Sequence, residues 1–463
     1  MEFRLKTFTI NHYNSEPSAR HNGEPSARLT RTPIALHCAA MLGALFLVSC
    51  GGGDAPVSSG ISLSCSASDP APTGGSGTPT GTNVVAVTVD GYCALPAVTG
   101  GKPNPGAFNL ACASVTVCNH GGACATVPNI LVDTGSYGLR IFRSAITAVN
   151  PAVTLTPVAS GGGQLAECMY FGSNNDWGQV MTADVKLGGE PTLSNIPIQV
   201  IDASFGTVPT ACKSPFPVDT GPADAGINGI LGVGLGTQDC PECATSPGIP
   251  VYYSCTGSNC TTAVTPLANQ VVNPVAKFTF NGTSTDNNGV MMEFPSVPTE
   301  GTASSTGYLV FGVGTQSNNT PPAGVSTFLS DNQGEITTTL NGRTYPGLID
   351  SGTDVLLFPS TGINNLGSFQ SSSFYSPSCN VNLTATMNSS GSATTEGVTF
   401  QIADLSNVTL PSNFVLSNVG ANPGTGPVGN LFIWGLPFFY GRTVYVGISG
   451  MTSSLGTGPY EAY

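Results

Sequence analysis

Histidine is nearly missing from this 463-residue chain: there are 4, and His12, His21 and His37 fall in the first fifty residues, which leaves His120 alone downstream. A His-rich metal site is therefore excluded. Any Ser-His-Asp or Cys-His mechanism would have to use this one residue, which lies in a Gly-rich turn between Cys118 and Cys124 with no nucleophile motif beside it. It reads as a solvated loop residue. Positive charge is scarce too. Five of the 13 Lys and Arg and three of the 26 Asp and Glu precede Cys50, leaving 8 basic against 23 acidic residues beyond it. A surface so poor in cations cannot neutralise phosphates, so nucleic acid and anionic headgroups are excluded as partners. Charged residues make up only 8% of the chain, while Gly, Ser and Thr abound, which predicts many short strands and turns rather than ion-paired helices.

The N-terminus is a targeting segment. Arg31 precedes an apolar run from Pro33 to Val48, too short for a stable membrane span, which ends in Leu47-Val-Ser-Cys50 and Gly51-Gly-Gly53. Residues 1–50 are thus expected to be a bacterial lipoprotein signal. Cys50 would be the lipidated residue, placing the protein outside the cytoplasm, at the outer membrane facing the periplasm or the exterior. Glu16-Pro-Ser-Ala-Arg20 returns as Glu24-Pro-Ser-Ala-Arg28, an unusually long stretch before the apolar run that a misassigned start codon would explain. Residues 51–82, rich in Gly, Ser, Thr and Pro, are expected to form a flexible tether. Twelve of the 14 cysteines lie beyond Cys50, an even number suited to disulfides in an oxidising compartment. Cys112, Cys118 and Cys124 would brace the strands around them. Cys240, Cys243, Cys255 and Cys260 could be disulfides, the default, or a four-thiolate zinc site.

The organising stretch is Ile130-Leu-Val-Asp-Thr-Gly-Ser136, which returns 217 residues later as Leu348-Ile-Asp-Ser-Gly-Thr353. Each copy reads as a strand stopping at an aspartate, with a hydroxyl on either side of the following glycine. Leu139 and Leu356 each follow three residues after the outer hydroxyl. Two further segments have matching order: Asn228-Gly-Ile-Leu-Gly-Val-Gly234 after the first copy and Phe432-Ile-Trp-Gly-Leu-Pro437 after the second. Asn83 to Asp90 alternates like a strand, and Asn341-Gly342 marks a two-residue type I′ hairpin leading to Asp350. Gly232-Val-Gly-Leu-Gly236 lacks the helix start and basic partner of a phosphate loop.

On these four segments the chain resembles the pepsin-like aspartic peptidases over roughly residues 83–450. It also bears a closer likeness to an uncharacterised family of exported proteobacterial lipoproteins. The first resemblance implies an all-β, bilobal double β-barrel with pseudo-twofold symmetry and an interlobe cleft, with lobes at 83–270 and 271–463. Asp133 and Asp350 would form the catalytic dyad, supported by Thr134, Gly135 and Ser136 and by Ser351, Gly352 and Thr353. The stretch from Glu167 to Gly189 matches the family's flap hairpin, with Phe171 at the usual tyrosine position, Tyr170 one residue away, and Trp177 on the return arm. The implied activity is hydrolysis of peptide bonds in a peptide or unfolded protein by activated water, with no cofactor and no metal, in a monomer. The alternative is a non-catalytic lipoprotein that binds peptide or glycan in the cleft. Two residues depart from the family pattern: Arg140 replaces a tryptophan, and Asp354 replaces Ser or Thr. They would pair with each other, or Arg140 would pair with and quench the dyad.

Overall fold

The computed structural model describes residues 60–463 except 76, 92, 94–107, 150–152, 281–282, 409–411 and 426–427. The signal segment, Cys50 and residues 51–59 lie outside the described residues. The chain is nearly all β: the α-helices among the described residues are the short Arg143–Ala148 and Pro222–Ala225. Glycine and β-branched residues leave little sequence that favours longer helices.

One large, barrel-like sheet takes in most strands, and a seven-stranded sheet carries the second aspartate motif. In the large sheet, Cys112–Cys118 and Cys124–Asp133 form a hairpin whose turn is closed by the Cys118–Cys124 disulfide, and its return arm ends on Asp133. Gly229–Val233 then runs parallel to that arm, with Gly232 opposite Asp133, and antiparallel to Tyr137–Phe142. Every residue of Gly229–Val233 and Tyr137–Phe142 is buried, as strands covered on both faces must be. The seven-stranded sheet repeats the arrangement. Ile336–Leu340 and Arg343–Ile349 join through Asn341 and Gly342, which both have positive φ (49° and 73°), the signature of the expected turn. Phe432–Trp434 runs parallel to Gly347–Ile349 and antiparallel to Leu356–Leu357. Trp434 anchors this region: its ring lies 4.6 Å from that of Phe432 and 5.4 Å from that of Phe400, and its Nε1 donates to Thr338 Oγ1 at 2.9 Å.

The large sheet crosses residue 270: Val84–Val89 pairs along its length with Ser305–Phe311, which pairs in turn with Gly289–Glu293. That same sheet continues through Thr443–Gly447 to Tyr460–Ala462 and Thr327–Leu329. The expected flexible tether, 51–82, needs correction where its residues are described. Ile61 and Ser62 pair with Ile363 and Asn364, the Ser66 N–H donates to the Asn380 carbonyl at 2.8 Å, and Cys65 is disulfide-bonded to Cys379. Composition predicted a flexible coil, but backbone hydrogen bonds to exposed strand edges and one covalent crosslink override it.

Replacing both Cys65 and Cys379 by Ser is expected to lower stability by about 2–5 kcal/mol. It should also open residues 60–75 to limited proteolysis, and digestion at the same rate as wild type would show that the strap holds without its disulfide.

Candidate active site

The two motifs meet through their hydroxyls. The Thr134 N–H donates to Ser351 Oγ at 3.1 Å, and the Ser351 N–H donates to Thr134 Oγ1 at 2.9 Å. Each hydroxyl then passes its own proton across: Thr134 Oγ1 to the Ile349 carbonyl at 3.0 Å, and Ser351 Oγ to the Val132 carbonyl at 2.8 Å. All four bonds are buried, so each group that folding removes from water finds a partner on the other motif.

This interlock sets the aspartates side by side. Asp133 Oδ1 accepts the Gly135 N–H at 2.8 Å, and its Oδ2 accepts Ser136 Oγ. Asp350 has the matching set, with the Gly352 N–H on Oδ1 at 2.7 Å and Thr353 Oγ1 on Oδ2 at 2.6 Å. Glycine is required here by space. A Cβ at Gly135 would lie 2.7 Å from Asp350 Cγ, and one at Gly352 would lie 2.6 Å from Asp133 Oδ1. The two side chains hydrogen-bond each other. Burial pushes the Asp133 carboxyl well above the usual carboxylate range, and the charge of Asp350 pushes it further, against the pull of Ser136 and the Gly135 amide. Two like charges in contact away from water cannot both persist, so the pair holds one proton between them. Both aspartates have 0% exposure.

Arg140 goes elsewhere than the sequence suggested. Its guanidinium pairs with Glu167 at 2.8 Å and Asp239 at 2.7 Å and donates to the Tyr137 carbonyl at 2.6 Å, so neither the dyad nor Asp354 accounts for it. All three side chains are almost wholly excluded from solvent. The Tyr252 hydroxyl donates to Asp239 Oδ1 at 2.6 Å and accepts the Val271 N–H at 2.8 Å. Burial, then the nearby Glu167, raises the Asp239 carboxyl well above its usual range, against the pull of the Arg140 charge and the Tyr252 hydroxyl. Glu167 and Asp239 were missed in the sequence because their partner lies 27 and 99 residues away, and no local pattern marks a long-range ion pair. Asp354 is buried at 4% exposure beside Asn109, whose Nδ2 donates to the Asp354 carbonyl at 2.9 Å.

The expected hairpin exists: Gly163–Tyr170 pairs with Asn175–Lys186, and Tyr170 lies opposite Asn175. Its residues do not form an exposed tip, however. Phe171 and Trp177 are fully buried, and the Arg140 guanidinium carbon lies 6.0 Å from the Phe171 ring centre. The Tyr170 hydroxyl meets the carbonyls of Ala211 at 3.3 Å and Pro250 at 3.2 Å, and Trp177 Nε1 donates to the Phe205 carbonyl at 2.8 Å. A Cys168–Cys212 disulfide and the flanking strand Tyr252–Thr256 fix the outer edge. Phe205, Ala211, Cys212 and the stretch from Pro250 to Thr256 thus cover the hairpin. Cys240–Cys243 and Cys255–Cys260 are disulfides, so the four thiolates a zinc ion would need are not free. His120 lies far from all of this, 69% exposed, with its Nδ1 3.0 Å from Asp184 Oδ1.

Replacing Arg140 by Ala strands two buried acids and is expected to cost about 3–5 kcal/mol, measured by denaturant unfolding, with Arg140→Lys recovering only part. The pH dependence of stability follows from Asp133, Asp176, Asp239 and Glu461, all raised chiefly by burial. Each binds its proton more tightly folded than unfolded. Their contribution is therefore complete below the unfolded carboxyl range, about pH 4, and is lost as pH rises through the folded values. Melting temperature should fall from about pH 5 to pH 8; a rise over that window would contradict the assignment.

No curated protein matches this chain. A family model described as "Protein of unknown function (DUF3443)" matches residues 79–463, and the chain belongs to that family.

Proposed function

We propose that this protein is an aspartic endopeptidase of pepsin-like, bilobal double-barrel architecture. Two carboxyls in hydrogen-bonding contact, each with the same amide and hydroxyl donors, carry this reading. The ionised member of such a pair withdraws a proton from water as the water attacks a peptide carbonyl. The protonated member donates to the developing oxyanion and then to the leaving amine. Burial makes the protonated state easy to keep and strengthens both interactions. Thr134 and Ser351 hold the geometry, and the donors from Gly135, Ser136, Gly352 and Thr353 aim the carboxyls. That Arg140 is neutralised by Glu167 and Asp239 supports the reading further, since an arginine on the dyad would remove its shared proton. Export and a lipid anchor on Cys50 are part of the same proposal, and six disulfides support an oxidising compartment. The substrate would be an extended peptide or unfolded protein.

A second reading, a non-catalytic lipoprotein that binds peptide or glycan, is favoured by one observation. The carboxyls are inaccessible, and the hairpin expected to open over them is held by a disulfide and a buried ion cluster.

Cleavage of an unfolded protein by the full chain from pH 3 to 7 separates the two. The peptidase reading expects activity that falls as pH rises and drops at least about 100-fold in both Asp133→Ala and Asp350→Ala. A folded wild type that cleaves nothing over this range would leave the binding reading.

A further inference from the structure

The last strand of the chain, Tyr460–Ala462, lies between Thr443–Gly447 and Thr327–Leu329, with Glu461 opposite Val446 on one side and Phe328 on the other. Successive side chains on a strand face opposite ways. Tyr460 and Ala462 join an apolar cluster with Met291, Val310 and Tyr445, so Glu461 points to the other face, toward the second aspartate motif. It is fully buried, and its Oε1 accepts the N–H of Ile349 at 2.9 Å. Oε2 has no hydrogen-bond partner among the described residues.

Ile349 is the residue from which Asp350 hangs. Its hairpin partner strand ends at Ile336, opposite Gly347, so the Ile349 N–H extends beyond that ladder and Glu461 supplies its acceptor. The carbonyl of the same residue takes the Thr134 hydroxyl. The two peptide units that flank the Ile349 Cα are thus held one by Glu461 and the other by the first motif. A glutamine would accept the same N–H with no charge to desolvate, so a titratable group here does something an amide cannot. The groups that meet Glu461 electrostatically are Asp350 and the phenol of Tyr137, which feels Asp133 next. Val446 and Phe328 on the flanking strands carry no charge, and no ion pair reaches Glu461 among the described residues.

We propose that Glu461 is a positioning residue for Asp350 and the third carboxyl of a coupled acidic cluster, so that the last strand sets the pH range over which the pair keeps its shared proton. The consequence for catalysis rests on the peptidase reading; the coupling does not. Burial, opposed only in part by the Ile349 amide, keeps Glu461 protonated well above the usual range. When it does ionise, its charge makes the last proton of the pair harder to lose. Removing it should let that proton leave at lower pH.

The test compares full-length wild type with Glu461→Gln, which keeps the acceptor and loses the charge, with Asp350→Asn, and with the double variant. Melting temperature is followed from pH 4 to 8. Wild type should lose ground to Glu461→Gln as pH rises, and the size of that pH-dependent difference should change when Asp350 is already Asn. Parallel curves for wild type and Glu461→Gln, or equal differences in both backgrounds, overturn the coupling. The cleavage assay compares the pH–rate profile of Glu461→Gln with that of wild type. The basic limb of the variant's profile should move to lower pH by about half a unit or more. Superimposable limbs overturn the proposal. A wild type that cleaves nothing sinks the peptidase reading alone, and the melting curves still decide the coupling.

Discussion

Everything in this molecule that bears on chemistry depends on the reciprocal hydrogen bonds between Thr134 and Ser351. These hydroxyls satisfy each other's backbone amides and each reach a carbonyl on the opposite motif, forming a closed set in which no member can be replaced by an apolar residue without leaving a buried group unpaired. The set pulls together two strand ends that are 217 residues apart. It brings two carboxyls into contact that would otherwise repel, and their coexistence is bought by a shared proton. The glycines follow from that proximity, since a Cβ on either would collide with the opposite aspartate.

Around this centre the fold spends polar groups in three ways. The dyad donors aim charge. The Arg140, Glu167 and Asp239 cluster ties the strand after the first aspartate to the neighbouring hairpin and to the Cys240–Cys243 loop. Glu461 holds the N–H of Ile349, the residue before the second aspartate. In each case an ionisable side chain stands where solvent is absent, and in each a carboxyl is pushed upward, principally by burial. Such buried carboxyls bind their protons more tightly in the folded chain than in the unfolded one.

The aspartate turns were legible in the sequence because a strand ending in Asp-hydroxyl-Gly-hydroxyl is a local pattern, and its repetition pointed to a shared site. The hairpins and the strands threading beside each motif, Gly229–Val233 and Phe432–Trp434, were legible for the same reason. What escaped was whatever depends on distant partners. Arg140 could be flagged as unusual, but its acids sit in a strand and a loop that no spacing rule connects to it. The hairpin at Tyr170 was placed correctly as an element. Its covering was not foreseen, because no local pattern connects Cys168 with Cys212 or pairs Tyr252–Thr256 with the hairpin's outer edge. Residues 60–82 misled in the opposite sense: Gly, Ser, Thr and Pro describe a coil until a cysteine fixes it. Glu461 had one readable signal, a lone acid flanked by Tyr460 and Ala462 in an otherwise apolar strand.

The central claim is that the two aspartates act as one protonated pair able to hold a tetrahedral centre. Calorimetric titration of the full chain with a peptide carrying a non-cleavable secondary alcohol in place of its scissile carbonyl tests it most directly. The account predicts one-to-one binding at about pH 5 that weakens at least about tenfold by pH 7.5 and is absent in Asp133→Ala. Binding indifferent to both pH and Asp133, or no binding at all, would contradict it.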